Sequence, residues 1–189
     1  MGTLLKIEWL KVKKYKPFWV ILIFLLLLCP SITIVFGKIL AGTKGTDGLN
    51  AFLGSPFSFP TVFDTAAYIN NGLNIAWGML LILMIGNEFQ TKTMRQNVID
   101  GQNRNDIITS KLLVVMIFSF MSALLTMLSG FITGAIYSPT GFVFDVQMFG
   151  TFGISLFAAF MQMLFALLFA FFIKRPAFGV ILYLVYTVL

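Results

Sequence analysis

The chain has 189 residues, 59% of them hydrophobic and only 11% charged, with thirteen Lys and Arg against seven Asp and Glu. An ordinary soluble domain carries about a quarter of its residues as charged ones, so a single water-soluble core is excluded. The formal net charge of +6 does not point to nucleic acid. The basic residues sit at the edges of apolar runs and form no separate patch that could track phosphates. Anionic lipid headgroups and a cytosolic partner are the expected counter-charges. Cys29 is the single cysteine and histidine is absent, which excludes an internal disulfide framework and the commonest metal ligand and general base.

Eleven of the thirteen basic residues fall into alternate gaps between the apolar runs. Five precede the first run, four lie between the second and third, and two lie between the fourth and fifth. Cytoplasmic loops retain Lys and Arg, whereas translocated loops shed them. The reading is a multi-pass bilayer protein with its N-terminus in the cytoplasm. Cys29 follows Leu26-Leu27-Leu28 after a lysine-rich start, but no small residue precedes it and the apolar run continues to Phe36. A cleaved leader is therefore not expected.

The first span is placed at about 18–37, with Pro30 inside it expected to kink or open the helix locally. An external loop follows, with a glycine-rich part and then Ser55-Pro56-Phe57-Ser58-Phe59-Pro60. Asp64 is a candidate N-cap for the second span, about 65–88. Asn71, Asn74 and Gly78 recur there at i, i+3 and i+7 and share one face. An interhelical hydrogen-bonding seam is the expected use of that face, with substrate contact as the alternative. The third span, about 107–137, holds Gly130 and Gly134 as G-x-x-x-G, spaced for close packing within the chain or across a dimer. The fourth, about 148–173, carries eight phenylalanines, expected to serve as lipid-facing bulk and packing rather than as an aromatic substrate path.

The last run, 177–189, reaches about 20 Å as a helix, short of a core about 30 Å thick. A terminal carboxylate within hydrocarbon is costly, so the natural chain is expected to continue beyond Leu189. The fold class is all-α: a polytopic helical membrane protein with four complete transmembrane helices plus a truncated fifth, preceded by an N-terminal interfacial helix over 1–16. Leu5, Trp9 and Val12 form a stripe on that segment, although Glu8 and scattered lysines interrupt the polar face.

Between the second and third spans lies NEFQTKTMRQNVIDGQNRNDIITSK, 87–111. Glu88 and Lys92 are an i, i+4 pair in the favourable order. Met94 and Val98 give a short apolar stripe, Gly101 can end that helix, and Asn105 or Asp106 can cap the next. A solvated connector and a helix that docks into a partner fit this spacing about equally.

The order Glu88, Phe89, Lys92, Thr93, Arg95, Gly101, Arg104 and Lys111 resembles the cytosolic loop of ABC-2-type permeases, the membrane subunits of ABC exporters. The opening Leu4-Leu5-Lys6-Ile7-Glu8-Trp9-Leu10-Lys11-Val12-Lys13-Lys14-Tyr15 is similar to their N-terminal segment. The resemblance implies a single permease domain over 1–189 in a bacterial cytoplasmic membrane. It also implies a separate ABC ATP-binding subunit and a second permease copy, identical or related. In that picture 88–111 contains the coupling helix, and Glu88, Phe89, Lys92, Arg95, Gly101 and Arg104 lie in the docking region. Glu88 should pair with a nearby cation, since a carboxylate at a helix C-terminus opposes the dipole. No G-x-x-x-x-G-K-[ST] loop occurs in the sequence, so ATP is expected on the partner. No catalytic, cofactor-binding or metal-ligating residue is expected in this chain. A membrane anchor that recruits a cytosolic partner without transport is the rival reading. An intramembrane enzyme lacks the histidines and paired carboxylates it would need.

Overall fold

A computed structural model describes residues 12–13, 15–42, 57, 59–91, 93, 96, 104–138, 145–173 and 175–188. All regular structure among them is helical: α1 Lys16–Gly42, α2 Val62–Asn71, α3 Asn74–Gln90, α4 Arg104–Tyr137, α5 Gln147–Phe172 and α6 Pro176–Val188. Most of the proposed interfacial segment, 1–16, lies outside the described residues. α1, α4 and α5 are long and apolar enough to cross a bilayer, and α2 with α3 makes a fourth candidate if the pair is one broken span. α6 is apolar but has 13 residues. α4 has 34 residues, roughly 51 Å at 1.5 Å per residue, so it outruns a core of about 30 Å.

Two local expectations are corrected. The continuous helix expected over 65–88 is interrupted at Gly72–Leu73. The run Asn70-Asn71-Gly72 joins three weak helix formers, and the amide N–H of Leu73 donates to Asn70 O at 2.9 Å in a tightened turn. Averaged over a window the length of a span, the apolar residues on either side outweigh these polar ones and so conceal the break. Asp64 is not an N-cap: the helix starts at Val62 and Thr61 stands at the cap position, leaving Asp64 in the first turn. Its carboxylate is engaged elsewhere, accepting from Gln147 Nε2 at 2.8 Å and from the Thr151 hydroxyl.

The chain divides into two compact units, and α1, α4 and α5 each contribute one end to both. The first comprises 1–22, 74–120 and 159–189. Its aromatic centre is Phe18, Trp77 and Phe118, with ring centroids 5.5 Å apart for Phe18–Phe118 and 5.4 Å for Trp77–Phe118. α3 and α6 approach closely because small residues face large ones. A Cβ at Gly86 would lie 2.7 Å from Pro176 Cβ, one at Gly179 would lie 2.9 Å from Ile82 Cγ2, and one at Gly78 would overlap the Tyr183 ring. α5 buries Ala159, Met163, Ala166 and Ala170, a stripe at i, i+4, i+7 and i+11. None of its eight phenylalanines is fully buried.

The second unit comprises 23–73 and 121–158. Phe59, Val62, Phe63 and Met148 form its core, with Phe57 and Met127 packed against them. Here the two glycines of G-x-x-x-G receive aromatic rings of the same chain. A Cβ at Gly130 would lie 2.8 Å from Phe63 Cδ1, and one at Gly134 would lie 2.5 Å from Phe59 Cζ.

Candidate functional site

The connector between α3 and α4 is the segment the sequence singles out, and its two ends are described. Glu88 sits in the last turn of α3, and Lys111 sits in the second turn of α4. The Lys111 ammonium lies 2.7 Å from the Glu88 carboxylate, with Lys111 1% exposed and Glu88 12% exposed. The cation that Glu88 needs beside a helix C-terminus is thus 23 residues away in sequence. Removing one partner from such a buried pair typically costs about 3–5 kcal/mol, because the other charge is left uncompensated. The pair holds the last turn of one helix to the early turns of the next, so the connector leaves and re-enters at neighbouring points.

Hydroxyls complete the end of α3. A helix leaves its last four carbonyls without intrahelical donors. Thr91 Oγ1 donates to Asn87 O at 2.9 Å, and Thr93 Oγ1 donates to Glu88 O at 3.1 Å. Phe89 lies edge-on to Phe171 at 6.0 Å, which fixes the neighbouring turn against α5. At the other end, α4 begins at Arg104, with Asp106 in its first turn. Asn105 and Asp106 are therefore inside the helix rather than at its cap. The carboxylate of Asp106 still complements the positive end of the helix dipole. Thr109 and Ser110 donate back to Asn105 O and Ile107 O at 2.8 Å each.

Of the six proposed docking residues, Glu88 and Phe89 are placed as above. Lys92, Arg95 and Gly101 lie outside the described residues, and Arg104 is described only as the first residue of α4. Among the packing candidates, Asn74 and Gly78 are buried and Asn71 is exposed. Asn70, its neighbour, is the buried one and donates to Ser129 Oγ at 2.6 Å. The break at Gly72–Leu73 divides the 71/74/78 register between two helices.

One polar array escaped the sequence reading. Ser119, Ser122, Thr126, Ser129 and Thr133 recur along α4 at intervals of three, four, three and four, and all are buried. That spacing defines one helix face. The signal is present in the sequence, but hydroxyls within a strongly apolar run are masked by their neighbours.

A family model described as ABC-2 family transporter protein matches residues 4–189. The chain belongs to the ABC-2 transporter family. No curated protein and no solved structure matches it. ABC-2 membrane components are not themselves enzymes, since the ATPase activity is carried by a partner subunit.

Proposed function

We propose that this chain is the permease subunit of an ATP-driven exporter in a bacterial cytoplasmic membrane. Two permease copies, identical or related, work with a separate ATP-binding subunit. The connector between α3 and α4 docks on that subunit on the cytoplasmic side. Closure of the nucleotide-loaded ATPase then moves the connector, and with it the two helices joined by Glu88 and Lys111. A helical bundle with two arrangements, biased by ATP, gives alternating access.

The observation that supports the reading most is the Glu88–Lys111 ion pair at the base of the connector. A loose, solvated linker would have no use for a buried charge pair. A strut that passes displacement from a docked partner to α3 and α4 needs rigid ends. The test is co-purification of the ATPase with an Arg95→Glu variant. Reduced capture with membrane insertion intact is expected, and unchanged capture would remove Arg95 from the docking surface. ATPase stimulation by transported substrate in reconstituted vesicles separates transport from the rival role of a passive anchor. An anchor would bind the partner without stimulating it.

A further inference from the structure

Asn70 is 2% exposed and stands next to the last residue of α2, just before the break. Its Nδ2 donates to Ser129 Oγ at 2.6 Å, while Ser129 donates to Thr126 O at 2.7 Å. A hydroxyl has one proton. Ser129 gives its proton to a carbonyl that can only accept, so it meets Asn70 as an acceptor, and this fixes the orientation of the amide. The other end of the amide, Asn70 Oδ1, is buried without a hydrogen-bonding partner. An acceptor left unpaired in this way costs about 1–3 kcal/mol.

The surroundings share one chemical character. Thr126 donates to Ser122 O at 3.1 Å, and Thr133 lies 2.8 Å from Ser129 O. Hydroxyls that donate to the preceding turn keep their lone pairs on the outer side. Every buried polar side chain described in this unit is uncharged. The face therefore offers acceptors and no net charge, beside a broken helix of the kind that lines ligand sites in membrane transporters.

We propose that Asn70, Thr126 and Ser129 form an acceptor-rich, uncharged binding site for a neutral hydrogen-bond donor, a hydroxyl or an amide N–H, with water as the smallest occupant. The site requires only that these helices span a bilayer. It stands or falls apart from the docking role of the connector.

The test is cysteine labelling of the full protein in membrane vesicles, in a Cys29→Ala background, with a water-soluble methanethiosulfonate. Thiols react as thiolates, so fast labelling reports access by water. Thr126→Cys and Ser129→Cys are expected to react about tenfold or more faster than Leu124→Cys and Phe131→Cys, which lie on the exposed face of α4. Equal rates would overturn the site and leave a dry packing seam. Asn70→Leu, added to Thr126→Cys, should return labelling to the control rate, and unchanged labelling would remove Oδ1 from the site. Slowing by decyl maltoside but not by decylphosphocholine assigns the site to a hydroxyl-bearing occupant, and slowing by neither assigns it to water. Equal slowing by both would contradict selection for a donor.

Discussion

In the unit that holds α3 and the first half of α4, the buried polar side chain of greatest consequence is a cation, Lys111, closed by Glu88 at 2.7 Å. In the unit that holds α2 and the second half of α4, the described links between helices in which both side chains are buried join neutral groups instead. Asn70 meets Ser129, and Thr133 lies 2.9 Å from Thr33 Oγ1. The two arrangements fail differently. A buried charge that loses its partner has no local substitute, whereas a hydroxyl that loses an interhelical partner can return its proton to its own backbone. The first arrangement suits a joint that must stay closed. The second suits a face that exchanges partners at modest cost.

This contrast orders the effects of substitution. Lys111→Met should destabilise the folded protein by about 3–5 kcal/mol, read as a lowered thermal midpoint in detergent. The charge-reversed double variant Glu88→Lys with Lys111→Glu should recover much of that loss. A double variant no better than either single one would show that the two charges do not act as a pair.

Gly134→Ala comes next. Its methyl group would press on Phe59, and overpacking of this kind costs about 1–3 kcal/mol. Gly150→Ala is the internal control, because nothing lies within 4 Å of a Cβ there. It should be neutral, or stabilising by about 0.5–1 kcal/mol as for a helical Gly→Ala exchange. Similar midpoints for the two variants would contradict the packing of Phe59 on α4.

Thr133→Val should have the smallest effect. Interhelical hydrogen bonds in membranes average about 0.6 kcal/mol, and Thr133 retains a shape-matched replacement. A loss as large as that of Lys111→Met would erase the distinction between the two units.

Much of the fold was legible in the sequence, and the limits have physical causes. Helices occupy the long apolar runs because hydrocarbon tolerates only backbone that satisfies itself. Hydropathy sums over many residues and is insensitive to any one of them. The interruption at Gly72–Leu73 rests on three consecutive residues and a turn bond, so the summed signal missed it. Partner choice was less legible. Glu88 pairs with Lys111, a contact set by the return of the chain 23 residues later and invisible to helical spacing. Asn70 and Asn71 are adjacent and chemically identical, and only packing decides which is buried. The family resemblance rested on the connector and the N-terminal segment, where charge and glycine positions are specific. In the apolar spans many sequences would serve, so the polar face of α4 carried little weight until its hydroxyls were placed side by side.

The most direct test asks on which side of the bilayer the connector lies. A Gln102→Cys variant in a Cys29→Ala background is treated in intact cells with a membrane-impermeant thiol reagent, then treated again after permeabilisation. Labelling is expected only after permeabilisation, because the proposed docking on an ATPase requires the connector to face the cytoplasm. Labelling of Cys-substituted position 102 in intact cells would contradict it.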